Sequence, residues 1–121
     1  MIDINKIRQV FTPSEGERLI ALDWDADIVP LFKDSGKVSF NTLKGDDIET
    51  VMKSFLALPG LNEATDIVFN LSVREQYCCK LWQMALYANE LCNIPSQPSV
   101  AWGYTKSPDQ PVNIKIDVIY K

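Results

Sequence analysis

Val112-Asn113-Ile114-Lys115-Ile116-Asp117-Val118-Ile119-Tyr120 alternates apolar and polar side chains over most of its length. Residues two apart share one face of a strand. Val112, Ile114, Ile116, Val118 and Tyr120 therefore form one face, and Asn113, Lys115 and Asp117 point the other way. That pattern predicts a half-buried antiparallel strand with its polar face toward water. Residues 99–105 read as extended too, and the segment between them, Lys106-Ser107-Pro108-Asp109-Gln110-Pro111, has loop composition. The two runs are expected to pair as a hairpin.

Farther upstream, residues 65–71 contain Ile67, Val68 and Phe69 and predict a strand. Ser72 and Glu75 have capping-box spacing, so a helix is expected over 72–93. Its apolar stripe runs through Cys78, Leu81, Ala85, Ala88 and Cys92, widened by Tyr77, Met84 and Leu91, and Leu81 is expected in the core. Trp82 and Leu86 extend the apolar surface around more than half of the helix. Asn93 is placed for a left-handed cap, and Pro95 bars continuation. A second helix is expected over 46–58, capped by Asp46 with Glu49 in the reciprocal position and striped by Ile48, Val51, Met52 and Phe55.

Residues 28–32 and 37–41 read as a hairpin around Asp34-Ser35-Gly36, with Pro30 confining the first strand to an edge. Residues 18–24 are apolar in both alternations, which predicts a central strand covered on both faces. The first element is a short helix capped by Asp3, with Ile4, Ile7 and Phe11 on one face and Thr12-Pro13 at its end. The expected fold is one α+β domain over residues 1–121. It has a mostly antiparallel sheet of about five strands, with two or three helices packed mainly on one face.

At 121 residues, 46% apolar and 23% charged, the chain can bury a core without disulfides or metal. Sixteen acids against twelve bases give a net charge of −4, which argues against a nucleic-acid partner. The absence of histidine removes His-dependent triads and the commonest zinc ligand. Cys78, Cys79 and Cys92 fall on one expected helix and are read as reduced thiols packed as small apolar groups. No phosphate-binding or dinucleotide glycine motif and no nucleophile elbow is present. The opening Met1-Ile2-Asp3-Ile4-Asn5-Lys6 lacks a basic region followed by an apolar one, so no leader peptide is expected. No run suits a membrane span, and a cytoplasmic protein is expected.

Chemistry concentrates in Leu19-Ile20-Ala21-Leu22-Asp23-Trp24-Asp25-Ala26-Asp27. An apolar strand ending in Asp-x-Asp resembles the first motif of haloacid-dehalogenase-type phosphotransferases. The resemblance implies Asp23 as nucleophile and Asp25 as the group handling the leaving-group proton. It covers nine residues; the family has Thr or Val at the position of Asp27, and Asp46-Asp47 opens a helix instead of closing a strand. Asp23, Asp25, Asp27 and Asp34 also stand at positions 1, 3, 5 and 12 of a calcium loop, but Ile28 occupies the required glycine position.

The expectation that fits all of this is a binding module that occludes another protein, of the toxin-immunity or phage-encoded inhibitor kind. Its partner would carry a basic surface. Asp23, Asp25 and Asp27 with Trp24 form the first candidate surface, and Asp46, Asp47 and Glu49 the second. No catalytic residue, cofactor or metal is assigned. The alternatives are a metal-dependent enzyme using Asp23, Asp25 and Asp27, and a subunit of a homo-oligomer.

Overall fold

The computed structural model describes residues 4–11, 17–33, 37–77, 81–108 and 110–121, with side chains for all of these except 17–19, 81 and 82. The fold is mixed α+β. Helix α1 spans Ile4–Phe11, and strand β1 spans Glu17–Ile20. A π-helical turn at Trp24–Ile28 and a 3-10 turn at Val29–Phe32 follow. Then come β2 (Ser39–Gly45), α2 (Ile48–Leu56), a 3-10 turn at Leu61–Glu63 and β3 (Asp66–Arg74). Helix α3 (Leu81–Cys92), β4 (Ser99–Ser107) and β5 (Ile114–Tyr120) complete the order.

The strands lie in the order β1-β4-β3-β5-β2. β3 runs parallel to β4, and the chain between them contains α3. The other pairings, β1 with β4, β3 with β5 and β2 with β5, are antiparallel. β4 and β5 therefore do not form the expected hairpin, because β3 lies between them. β3 is buried on both faces from Ile67 to Leu71, so it gains most from a partner on each edge.

Two apolar layers cover the sheet. On one face, Ile67, Phe69, Leu71 and Val73 of β3 and Ile114, Ile116 and Val118 of β5 pack against α2 and α3. Phe55 of α2 meets Phe69 edge-on at 5.2 Å, and Trp102 stacks on the same ring at 6.3 Å. On the other face, Val68 and Ile119 pack against Ile7 and Phe11 of α1 and Ile28 and Leu31 of the helical turns. Helices thus cover both faces, where packing mainly on one was expected.

Several local expectations are corrected. β1 ends at Ile20 and is an edge strand, whereas residues 18–24 were expected to form a central one. Leu22 and Trp24 instead reach the second apolar layer after the chain has left the sheet. Residues 28–32 form no strand; Pro30, which lacks an N–H, sits at the start of the 3-10 turn, where none is needed. β2 pairs with β5, so the expected hairpin over 28–41 does not form. Asp3, Thr12-Pro13 and Asp34-Ser35-Gly36 lie outside the described residues.

β3 continues to Arg74, so Ser72 is a strand residue opposite Thr105 and Lys115 and caps no helix. In α3, Met84, Ala88 and Leu91 are buried, at spacings of four and three residues. Ala85, Leu86 and Cys92 are exposed, so the buried face is rotated from the expected one and narrower. Cys78 and Cys79 and the side chains of Leu81 and Trp82 lie outside what is described. Among the described residues the non-glycine position with positive φ is Gln97, at 48°, so Asn93 is not a left-handed cap.

Candidate functional site

The acidic segment after β1 folds into a self-contained turn. The Asp23 carboxylate caps it, Oδ1 accepting from the backbone N–H groups of Asp25 at 2.9 Å and Ala26 at 3.3 Å. Asp27 returns the contact: its Oδ2 accepts from the Asp23 N–H at 2.8 Å, and its own N–H donates to the Asp23 carbonyl at 2.8 Å. Asp23 and Asp25 are exposed and Asp27 is half-buried. Trp24 is no free anchor. It packs on the second apolar layer, and the Arg8 guanidinium carbon lies 5.7 Å from its ring centroid. Asp27 also lines a small cleft of about 150 Å³ together with Asp66 at the start of β3.

The second acidic group is organised one residue later than expected. Asp47, not Asp46, caps α2, its Oδ2 accepting from Thr50 N at 3.2 Å and from Thr50 Oγ1 at 3.1 Å. Asp46 contributes its backbone carbonyl, which accepts from Asn113 Nδ2 at 3.2 Å. Glu49 is exposed on the first helical turn and makes no capping box with Asp46.

The structure keeps these two groups apart. The Asp23 turn adjoins the start of β3, whereas Asp46 hangs from Asn113, whose carbonyl accepts from the N–H of Arg74 at the end of β3. Nine strand residues separate the ends by about 26 Å. Among the described residues, no group of three or more His, Cys, Asp or Glu side chains is placed to hold a metal ion. Cys92, read from sequence as a packed thiol, is free and exposed at the end of α3.

A further polar constellation escaped the sequence reading. On the α1 side of the sheet, paired residues form rows. One row is apolar, with Phe40, Ile119, Val68 and Ala101. The next holds Thr42, Asp117, Asn70 and Gly103, and the one beyond it Lys44, Lys115, Ser72 and Thr105. Asp117 is 1% exposed. Its Oδ1 accepts from Thr42 Oγ1 at 2.7 Å, and Lys115 Nζ stands 3.6 Å from its Oδ2. Burial raises the Asp117 pKa, against the opposing pull of the Thr42 hydrogen bond and of Lys115 and Lys44. A Cβ on Gly103 would lie 2.6 Å from Asn70 Oδ1, so glycine makes room for this buried amide. The alternation of Asn70 with Ser72 and of Lys115 with Asp117 was the available signal, but it marks a polar face without saying that the face is covered.

No protein-family model matches the chain, and no curated protein matches it. A solved structure does. FtsZ from M. jannaschii, described as an empty FtsZ dimer, matches over 97% of this chain with a TM-score of 0.62 and 16% identity. The match covers 36% of the FtsZ chain, so the present chain corresponds to about a third of that protein. At this identity the likeness is one of fold. Among the described residues, no helix is long and apolar enough to cross a membrane.

Proposed function

We propose that the chain is a non-enzymatic binding module that acts by covering a basic surface of another protein. The Asp23 turn is the observation that carries this. The Asp23 and Asp27 carboxylates are held by the turn's own backbone N–H groups, so these two charges are presented with little freedom left to lose on binding. Asp25 is exposed at its tip. The net charge of −4 adds a long-range field that favours encounter with a basic partner. Asp46, Asp47 and Glu49 are too distant to share this contact, and Asp47 caps α2.

The test begins with affinity capture using the tagged chain, followed by kinetics on the purified pair. Asp23→Asn, Asp25→Asn and Asp27→Asn together retain the acceptor oxygens of the turn and remove its charge. The association rate is expected to fall and to lose much of its salt dependence, with an unchanged melting temperature. A triple variant that associates at the wild-type rate in low salt would exclude the turn as the contact.

Self-association is the alternative, and the FtsZ match favours it, since that structure is described as a dimer. Light scattering on the isolated chain distinguishes the two. A stable multimer that captures no other protein would replace the occlusion proposal with this one.

A further inference from the structure

The cleft between α1 and the polar half of the sheet is a built polar site. Its volume is about 420 Å³. That lies within the range of small-molecule sites and exceeds the share of one water, about 30 Å³, many times over. α1 supplies one wall through Val10 and Lys6, β2 supplies Phe40, and the sheet floor supplies the hydroxyls of Ser72 and Thr105. Asp117 lines the same cleft. Its Oδ2 is buried without a hydrogen-bond partner. Lys115 Nζ at 3.6 Å is its charged neighbour but stands beyond hydrogen-bond distance, so this oxygen is the point where a ligand hydroxyl gains most.

We infer that this cleft binds a small, neutral, hydroxyl-rich molecule of monosaccharide or nucleoside size, with one hydroxyl on Asp117 Oδ2. The surrounding charges select this class. A cation at Oδ2 would meet Lys115 Nζ, already 3.6 Å from the same oxygen. An anion placed against Oδ2 would meet the like charge of the Asp117 carboxylate itself. A hydroxyl donates to the carboxylate without bringing a charge of its own. The remaining hydroxyls face Ser72 and Thr105, and the carbon skeleton lies against Val10 and Phe40.

The experiment is a titration of the ¹⁵N-labelled chain with glucose, myo-inositol, uridine and adenosine, followed by amide shifts. At least one probe is expected to shift the amides of Ser72, Thr105, Lys115 and Asp117 saturably; a response to the nucleosides but not the sugars identifies a ribose as the source of the hydroxyls, and the reverse a hexose-like ring. Asp117→Asn keeps the Thr42 bond and removes the open acceptor. It should weaken binding about tenfold or more, as expected for a hydrogen bond to a charged group. Val10→Trp fills the cleft from α1 and should abolish binding without touching Asp117. Melting curves confirm that both variants are folded. Three results would overturn the inference: no probe shifts these amides, the shifts map elsewhere, or folded Asp117→Asn binds like wild type. Any of them would leave the cleft as a hydrated polar pocket.

Discussion

Asp117 shows how far a strand pattern reaches at the scale of one residue. Its place between Ile116 and Val118 assigns it to the polar face, and the structure keeps it there. Whether that face meets water depends on α1 and on neighbouring strands distant in sequence, and Asp117 is buried. A raised pKa means that the folded state holds the proton more tightly than the unfolded chain does. The stability tied to that proton is complete below the unfolded value, about 4, and is lost as pH rises through the folded value. Asp117→Asn has no such loss. Its melting temperature relative to wild type should therefore rise with pH from the acid side and level off above the folded Asp117 pKa. Thermal scans across that range check the sign. A relative melting temperature that falls as pH rises would show that Thr42, Lys115 and Lys44 outweigh burial.

At the scale of elements, the interior of α2 was more legible than its end. The stripe Ile48, Val51, Met52 and Phe55 is buried as its spacing requires. The cap is less determined, because Asp46 and Asp47 are adjacent and either can accept an orphan N–H. Burial of Ile48 and the Asn113 bond to the Asp46 carbonyl place Asp47 in the cap position. Asp47→Ala should cost about 1 kcal/mol in denaturant melts. Asp46→Ala should cost about 0.5 kcal/mol or less, since its side chain caps nothing. Equal losses would show that the two carboxylates share the cap. Ser72 is the opposite case. Its capping-box spacing with Glu75 is genuine, yet pairing on both sides extends β3 through it. Local capping preference is weak against two ladders of backbone hydrogen bonds.

Across the whole molecule, strand order is the feature that carries the fold. β3 lies between β4, to which it runs parallel, and β5, to which it runs antiparallel. Amides of β3 and of β5, the interior strand paired on both sides by β3 and β2, should exchange with solvent most slowly, since they open only with the global core. β1, four residues long at one edge, should exchange fastest among the strands. Amide exchange followed by NMR checks this ranking. Protection of β1 equal to that of β3 would mean that the outer edge is covered, as self-association through that edge would bring about.

The sequence by itself determined the α+β class, the apolar face of α2, the burial of Ile7 and Phe11 in α1 but not of Ile4, which is exposed, and the positions of β3, β4 and β5 to within a few residues. These follow from periodicity, which each segment carries alone. Only the tertiary structure decided that β3 separates β4 from β5, that residues 24–32 turn helically, and that α1 closes over the polar half of the sheet. It also decided that the acidic groups around Asp23 and Asp47 stand at opposite ends of β3. Each of these depends on which apolar surfaces find one another across long stretches of chain, and no local pattern encodes that choice.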